Sequence, residues 1–196
     1  MIAYIEHIDT QIFLFLNSLR SSWLDTFFYL FSNTYIWIPL YLLVIILIIK
    51  QWKKRAWIIT LFLLLAIACS DQNCNFLKKN IGRLRPSHTV ELEGKINLVM
   101  RSDGTPYRGG MYGFPSAHAS NSIVLLFFFA FFVKRRRQWS IILLSLWVLL
   151  FVYSRIYLGV HYPLDILFGL LMGSCWALLF IILCRRILLR IIMMKR

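Results

Sequence analysis

Residues 154–165 read SRIYLGVHYPLD and place an Arg, a His and an Asp between two long apolar runs. Ionisable groups are costly in such surroundings, so the ones found there usually serve a function. Two other polar islands interrupt the apolar sequence in the same way, residues 78–86 (KKNIGRLRP) and residues 115–118 (PSAH). We expect the three islands to meet at one site near a membrane surface.

The composition is that of a membrane protein. The 196-residue chain is 60% hydrophobic with a mean hydropathy of +0.70, which is too apolar for a soluble domain of this length. The formal net charge is +14, but the basic residues cluster at the ends of apolar runs. We therefore interpret the charge as a signal of membrane orientation and predict no nucleic-acid partner. The four cysteines show no metal-ligand spacing, and neither a metal ion nor another cofactor is predicted.

Five apolar runs of near-membrane length predict an all-α, polytopic membrane bundle with five transmembrane helices. The runs are residues 35–49, 56–77, 117–133, 139–152 and 164–183, the last of which ends at Cys184-Arg185-Arg186. The short connections at 50–55 and 134–138 indicate that consecutive helices pack side by side.

The N-terminal segment, residues 1–33, is ambiguous. Its apolar run is interrupted by polar residues, namely Asn17, Arg20, the pair Ser21-Ser22 and Asp25. A spanning helix needs about 20 residues with few charges. We predict two short helices lying in the membrane interface, with Trp23 as an anchor, ahead of a catalytic membrane domain over residues 34–196. A sixth membrane crossing by this segment is the alternative.

The distribution of Lys and Arg predicts the orientation. Thirteen of the 22 basic residues lie on one side, in the loops 50–55 and 134–137 and in the tail from Arg185 onward. With five crossings, the net charge is about +13 on that side and about +1 on the other, so the first side is cytoplasmic. All three polar islands then fall at the outer ends of their helices. The sequence predicts an inner-membrane protein whose site faces the periplasm or exterior.

The first island supplies cations. Lys78 and Arg85 stand seven residues apart, which is two turns if the helix continues, so both can face one way. Pro86 disfavours helix at Arg85 and stops the segment. A basic stripe that binds lipid headgroups is the alternative.

The second island predicts an anion site. Ser116 suits the N-cap of the run that starts at Ala117, since Pro115 breaks the chain just before it. The free N–H groups of a first helical turn bind anions, and His118 lies in that turn. A capping Ser beside an unrelated His is the alternative.

The third island predicts an activated histidine. Pro163 suits a first helical turn, which places Asp165 where the helix dipole favours a carboxylate. His161 stands four residues before Asp165, on the same side if the turn is helical. A carboxylate bonded to one ring nitrogen fixes the tautomer and makes the other nitrogen a better nucleophile. Arg155, at the end of the preceding helix, adds a cation, and a purely structural His–Asp pair is the alternative.

Taken together, the islands provide the groups that phosphoryl transfer requires. The reaction needs fixed donors around three phosphoryl oxygens, a nucleophile in line and a proton source for the leaving group. The candidate residues are three cations, a helix N-terminus and two histidines: Lys78, Arg85, Arg155, Ser116, His118 and His161.

The order and spacing of these residues resemble the three signature motifs of the type 2 phosphatidic acid phosphatases. The matching positions are Lys78 with six residues before Arg85-Pro86, then 115–118, then Ser154-Arg155 with five residues before His161 and three more before Asp165. The chain departs from the family at Ala117, where the family most often has Gly. The backbone N–H is retained there, whereas a positive φ would be strained.

The resemblance implies a role for each matched residue. His161 would attack phosphorus and form a phosphohistidine, with Asp165 orienting it, and His118 would protonate the leaving group and then activate water. Five residues would hold the phosphoryl oxygens: Lys78, Arg85, Ser116, Ala117 and Arg155. Members of the family act without a metal ion, and bacterial members commonly act on lipid phosphates at the outer face.

Three lipid substrates fit this expectation: a polyprenyl diphosphate such as undecaprenyl diphosphate, lipid A, and phosphatidylglycerol phosphate. We favour the first two because both are exposed on the outer side of bacterial inner membranes. The loop 87–114 should lie over the site, where Arg101 and Arg108 are candidates for binding the headgroup. A solvated charged loop is the alternative for these two residues.

Other interpretations remain at this stage. Asp71, seven residues before Lys78, either sits in a wet crevice or, with Asn75, orients Lys78. A small polytopic transporter or lipid-binding scaffold would place polar groups along the helix mid-sections, whereas here they gather at one end. A vanadate-dependent haloperoxidase has a similar anion site but is soluble. The sequence makes no prediction of oligomeric state.

Overall fold

The computed structural model describes residues 1–101, 103–133 and 137–194, which form seven α-helices. The helices are α1 (Ile2–Ser18), α2 (Ser22–Phe31), α3 (Ile38–Trp52), α4 (Ala56–Ile81), α5 (Ala117–Phe132), α6 (Arg137–Tyr157) and α7 (Pro163–Met193). Short 3₁₀ turns occupy Thr34–Trp37, Lys53–Arg55, Pro86–His88 and Val90–Leu92. These described residues contain no β-strand, only two isolated bridges in the loop between α4 and α5. The all-α prediction is confirmed.

Helices α3 to α7 alternate in direction. At one end of the bundle, the Trp52 indole at the end of α3 donates to the carbonyl of Phe132 at the end of α5, at 2.8 Å. At the other end, the ring of His118 in the first turn of α5 lies 5.6 Å from that of Phe151 near the end of α6. The three polar islands are therefore brought to the same end of the bundle.

The apolar helices are those of a membrane protein. Three helical stretches are long and apolar enough to cross a membrane: Thr34–Ile81, Gln138–Tyr157 and Pro163–Met193. A shorter helix, Ala117–Phe132, is also apolar. The first stretch contains both α3 and α4, which are joined by the turn at Lys53–Arg55. The five predicted runs thus correspond to α3 through α7, in a polytopic helical bundle as predicted.

The helix ends differ from the ends of the apolar runs. Helix α7 continues past Arg185 and Arg186 to Met193, beyond the end of the apolar run at 183. Charged residues end an apolar run without ending a helix, because the main-chain hydrogen bonds do not depend on apolar side chains. Helix α6 likewise continues beyond Arg155 to Tyr157. Residues 134–136 and 195–196 of the predicted basic clusters lie outside the described residues.

Helix α5 is central and packs against α4, α6 and α7. Two glycines of α7 allow its backbone to come close to that of α5. A Cβ at Gly169 would lie 2.4 Å from the carbonyl oxygen of Ser116, and one at Gly173 would lie 2.3 Å from that of Ser120. Small residues four apart on a helix allow such close backbone contact in membranes. This contact holds the start of α7 beside the start of α5, and so brings residues 161–165 beside residues 116–118.

The N-terminal segment forms two helices separated near the predicted break, and both pack against the bundle. Phe13 of α1 is fully buried in the same hydrophobic core as α3 to α7. The Asn17 amide donates to the carbonyls of Ile156 and Tyr157, which lie at the end of α6 where backbone acceptors lack helical partners. The Tyr157 hydroxyl donates in turn to Asp25 at 2.6 Å. Asn17 and Asp25, two of the polar interruptions in this segment, therefore contact the C-terminal end of α6.

The loop between α4 and α5 crosses the same end of the bundle. It folds back on its own first residues, since the Gly113 N–H donates to the Arg83 carbonyl at 2.9 Å and the Arg85 N–H donates to the Met111 carbonyl at 3.0 Å. The Ser87 N–H also donates to the carbonyl of Gly159, at 3.0 Å. These bonds fix the segment 83–87 against the turn that joins α6 to α7.

Candidate active site

The first island splits between a helix and a loop. Lys78 lies in the last turn of α4, which ends at Gly82, a left-handed cap with φ 66° whose N–H donates to the Lys78 carbonyl. Arg85 lies beyond the end of the helix in extended backbone, as expected of the residue before Pro86, so the two-turn spacing from Lys78 does not apply. It reaches the site from the loop, where it is 8% exposed and its Nε donates to the Tyr112 carbonyl at 3.1 Å.

The positive charge of Arg85 is only partly offset by Asp165. Burial, and next the repulsion from Arg155, lower the pKa of Arg85 to about 10. The main chain at Gly109 lies against the guanidinium, since a Cβ there would be 2.4 Å from Nη1. A buried cation beside another cation favours an anion between them.

The second island forms the predicted helix start. Ser116 is the N-cap of α5, and its hydroxyl accepts from the Ala119 N–H at 3.5 Å. Ala117 is the first residue of α5, and Lys53 alone has a positive φ among the described non-glycine residues, so the strain considered for Ala117 does not arise. In the same turn, the His118 Nε2 lies 3.5 Å from the Thr34 hydroxyl.

The third island places a histidine just before the first residue of α7. His161 is fully buried in the connection between α6 and α7, and its Nδ1 lies 3.3 Å from Oδ2 of Asp165. The same carboxylate oxygen accepts from the Tyr162 N–H at 3.0 Å, which fixes it in the first turn of α7. The carbonyl of Asp165 accepts from the Ser116 N–H at 2.9 Å and so joins the second and third islands directly.

The two ring nitrogens of His161 have different surroundings. With Nδ1 facing a carboxylate, the ring proton is assigned to Nδ1 and the lone pair to Nε2. Nε2 is buried and has no hydrogen-bond partner among the described residues. Burial, followed by repulsion from Arg85 and two further cations, holds the pKa of His161 well below its usual range. The imidazole is thus a neutral base with one free nitrogen.

The remaining predicted residues converge on the same point. Arg155 is 2% exposed, its Nη2 donates to the Tyr107 hydroxyl at 3.3 Å, and its Nε is buried without a partner in the described part of the chain. His118 and His161 both lie within electrostatic range of the same three cations, Lys78, Arg85 and Arg155. The structure therefore brings together two histidines, a carboxylate, three cations and a helix N-terminus.

Of the other residues named from the sequence, Arg101 and Arg108 lie outside this cluster, whereas Asp71 lines a cavity together with His118. Arg101 and Arg108 are exposed on the loop, and the Arg101 guanidinium lies 5.4 Å from the centre of the Tyr107 ring. Asp71 accepts from the amides of Asn75, at 2.9 Å, and Asn121, at 3.2 Å, and so links α4 to α5. Within the described ranges, no three His, Cys, Asp or Glu side chains are grouped so as to hold a metal ion.

Two residues beside Asp165 carry contacts that the sequence did not indicate. Arg83 donates from Nη1 to Asp165 at 2.7 Å and from Nη2 to Asp9 at 2.6 Å. Asp9, only 2% exposed, also accepts from the Leu164 N–H at 2.9 Å. The Arg83 guanidinium lies 4.2 Å from the centre of the Tyr162 ring. The signal that points to Asp9 is an acidic residue within a largely apolar helix.

Comparison with known proteins gives concordant matches. The sequence model of the PAP2 superfamily matches residues 55–187. A protein of Bacteroides thetaiotaomicron named lipid A 4'-phosphatase is 36% identical over 194 residues, which cover 97% of this chain and 83% of the relative. An undecaprenyl-diphosphatase of Sulfolobus acidocaldarius is 28% identical over 144 residues, covering 74% of this chain and 61% of the relative.

A solved structure shares the fold. The crystal structure of a transmembrane PAP2-type phosphatidylglycerolphosphate phosphatase from Bacillus subtilis superposes with a TM-score of 0.71 at 20% identity. The match covers 94% of this chain and 88% of the other. It supports the same helical membrane architecture.

Proposed function

The chain belongs to the PAP2 superfamily, and we propose that it releases phosphate from a membrane lipid through a phosphohistidine formed on His161. It is a lipid phosphatase, so the non-catalytic alternatives of a transporter or scaffold are set aside. The single observation that carries the proposed mechanism is the free Nε2 of His161, buried beside three cations while Nδ1 faces Asp165.

The first half-reaction transfers the phosphoryl group to the protein. The lone pair of His161 Nε2 forms a bond to phosphorus while the bond from phosphorus to the leaving oxygen breaks. His118 donates a proton to that oxygen as the leaving group departs. Asp165 stabilises the positive charge that develops on the imidazole, because its carboxylate faces Nδ1.

The second half-reaction releases phosphate. His118, now neutral, takes a proton from water, and the water oxygen forms a bond to phosphorus as the bond to Nε2 breaks. The electron pair returns to Nε2, and the site is restored. Neither half-reaction involves a change of oxidation state, and each proton that His118 gives up is recovered from water.

The phosphoryl oxygens are held by fixed donors. Lys78, Arg85 and Arg155 supply charge, and the start of α5 supplies the Ser116 hydroxyl and the Ala117 N–H. These donors are buried or partly buried, which makes their interaction with a phosphate stronger than it is in water. Arg101 and Arg108, on the exposed loop, are left as candidates for contacts with the outer part of the headgroup.

The substrate class follows from the relatives and the predicted orientation. We favour lipid A, since the relative at 36% identity bears the name lipid A 4'-phosphatase, with undecaprenyl diphosphate next and phosphatidylglycerol phosphate third. We infer an inner-membrane location with the site at the periplasmic face. The proposed catalytic membrane domain is residues 34–196, and helices α1 and α2 within residues 1–33 pack against it.

The test compares the purified protein with two histidine variants on all three lipids. His161→Ala removes the nucleophile, so phosphate release should fall to the background level while the thermal melting profile is kept. His7→Ala is the matched control, because His7 is exposed on α1, and it should retain wild-type turnover. Wild-type protein quenched during turnover should carry phosphate in an acid-labile, base-stable linkage. Phosphate release that survives in His161→Ala would contradict the mechanism.

A further inference from the structure

A cavity of about 400 Å³ opens beside His118, between the junction of α2 with α3 and the loop that covers the site. The side chains that line it include Tyr29, Asn33, Thr34, Tyr35, Tyr107 and His118. Four of these come from residues 29–35, a segment to which the reaction described above gives no role.

Tyr107 marks the boundary between this cavity and the phosphate-binding cations. Its hydroxyl accepts from Nη2 of Arg155 at 3.3 Å, while its ring makes an edge contact with the ring of Tyr29, with 5.6 Å between centres. A molecule whose phosphate meets Arg155 therefore has the next part of its structure beside two tyrosine rings.

His118 fixes which part of the substrate reaches the cavity. This step rests on the proposed function, in which His118 protonates the leaving oxygen. The group attached to that oxygen must then lie on the His118 side of phosphorus, where His118 borders this cavity and a second one of about 250 Å³ that reaches Asp71 and Phe151. The first is also lined by Tyr107, whose hydroxyl accepts from Arg155, so it is the one that adjoins a phosphate held by Arg155. Thr34, whose hydroxyl is 3.5 Å from Nε2 of His118, stands where the leaving oxygen meets the cavity wall.

The chemistry of the wall distinguishes two kinds of leaving group. A diphosphate leaves as a charged phosphate ester, which requires cations around it. Among the described residues, none of those that line this cavity is Lys or Arg. Hydroxyl groups, an amide and three tyrosine rings are instead suited to an uncharged sugar ring that carries hydroxyl and acyl groups.

We propose that the cavity formed by residues 29–35 and Tyr107 binds the sugar of a phosphorylated sugar headgroup, which departs through the oxygen that His118 protonates. Residues 29–35 thus determine specificity for the leaving group, whereas the three cations hold the phosphate.

The experiment measures kcat/KM on two lipids with tyrosine variants of the cavity wall. Tyr29→Leu and Tyr35→Leu each remove an aromatic face; Thr34 is left intact because it contacts His118. Each variant should lower kcat/KM for lipid A by about tenfold while changing that for undecaprenyl diphosphate by less than about twofold. Tyr4→Leu, at an exposed position on α1, removes a tyrosine outside the cavity and should change neither value.

The rate of the second half-reaction, in which the sugar takes no part, provides a second measurement. Hydrolysis of the phosphoenzyme takes place after the sugar has departed, so its rate should be unchanged in Tyr29→Leu and Tyr35→Leu. Equal losses on both lipids, unchanged kinetics on both, or a wild-type protein that hydrolyses undecaprenyl diphosphate but not lipid A would overturn the assignment of the cavity. If the wild type released phosphate from neither lipid, the proposed function would be overturned, and this inference with it.

Discussion

His161 and His118 are chemically distinguished by what each ring contacts. Nδ1 of His161 faces the carboxylate of Asp165, whereas Nε2 of His118 faces the hydroxyl of Thr34. A ring backed by a carboxylate carries positive charge more easily, which suits the nitrogen that becomes bonded to phosphorus. A ring without that support releases its proton more readily, which suits the acid.

The burial of His161 predicts how it titrates. Because burial, with help from Arg85, holds its pKa well below the usual ~6.5, the ring should be neutral at pH 6. Nitrogen-15 NMR of histidine-labelled protein, with His161→Ala to assign the signal, should show one protonated and one free ring nitrogen at that pH. A ring that titrates near 6.5 would contradict this expectation.

The same shift affects stability, and its sign follows from proton counts. Below pH ~6.5 the unfolded state binds a proton at this histidine while the native state does not. The His161 contribution to the free energy of unfolding should therefore decrease as pH falls from ~6.5 towards the native pKa. His161→Ala should weaken this part of the acid sensitivity.

Removing the acid should separate the two half-reactions. In His118→Ala, turnover of lipid substrates should fall by about 10²–10⁴-fold, because the leaving oxygen lacks a proton source. With p-nitrophenyl phosphate, whose leaving group needs little protonation, the variant should release about one p-nitrophenol per protein and then slow. His161→Ala should show no such burst, and steady wild-type kinetics in His118→Ala would exclude it as the acid.

At the scale of helices, α1 supports the site through Asp9. Arg83 binds Asp165 and Asp9 with its two terminal nitrogens, and Asp9 also accepts from the Leu164 N–H, so three segments are tied together at the start of α7. Asp9→Asn keeps the size of the side chain and removes its charge. It should lower kcat by about tenfold with little change in KM, and it should shift the His161 nitrogen-15 signals, because Asp165 is then held less firmly.

The control for Asp9 lies one turn earlier on the same helix. Glu6→Gln removes an exposed charge from α1 and should alter neither kcat nor the His161 signals. A loss of melting temperature in Asp9→Asn without any change in kcat or in those signals would show that Asp9 is purely structural.

The contact between α5 and α7 sets the distance between the two catalytic turns. An added methyl group at Gly169 or Gly173 would meet a backbone carbonyl oxygen at 2.4 or 2.3 Å, so the helices must separate. A displacement of about 1 Å can lower the rate about 10²-fold. Gly169→Ala should therefore lose activity by about that factor and melt at a lower temperature. Gly110→Ala, which adds the same methyl where no atom lies within 4 Å, is the control, and an active Gly169→Ala would refute the argument.

The elements were predictable where a local signal marks them. Pro163 and the four-residue spacing from His161 to Asp165 indicated the start of α7, and Ser116 indicated the start of α5, because capping depends on neighbouring residues. The bridge between Asp9 and Arg83 joins residues far apart in the chain, and no local pattern reveals such a pair. The end of α7 at Met193 could not be read from the apolar run that ends at 183, because hydropathy reports the membrane boundary rather than the end of main-chain hydrogen bonding.

For the molecule as a whole, the two ends of the bundle have different chemistry. The candidate active site, with Asp9, Arg83 and Asp165, occupies one end, and the turn at Lys53–Arg55 lies at the other. The sequence predicted this separation because Lys and Arg counts need no tertiary information, whereas the cavity beside His118 required the packing of residues 29–35 against the loop. The charge difference between the ends leads to a prediction of which side each one faces.

Single cysteines at the two ends test the orientation. In a background without the four native cysteines, Lys95→Cys places a thiol on the exposed loop over the site, and Lys54→Cys places one in the turn at the opposite end. A membrane-impermeant maleimide applied to intact spheroplasts should label Lys95→Cys. It should label Lys54→Cys only after permeabilisation, because the excess of Lys and Arg predicts that the basic turn is cytoplasmic.

The cysteine-free parent gives the background signal, and phosphate release by each variant shows that the labelled protein is folded. The reverse labelling pattern would place the site at the cytoplasmic face and overturn the proposed location. The lipids of the outer leaflet would then be out of reach of His161, so the substrate would have to be a phosphorylated lipid of the inner leaflet.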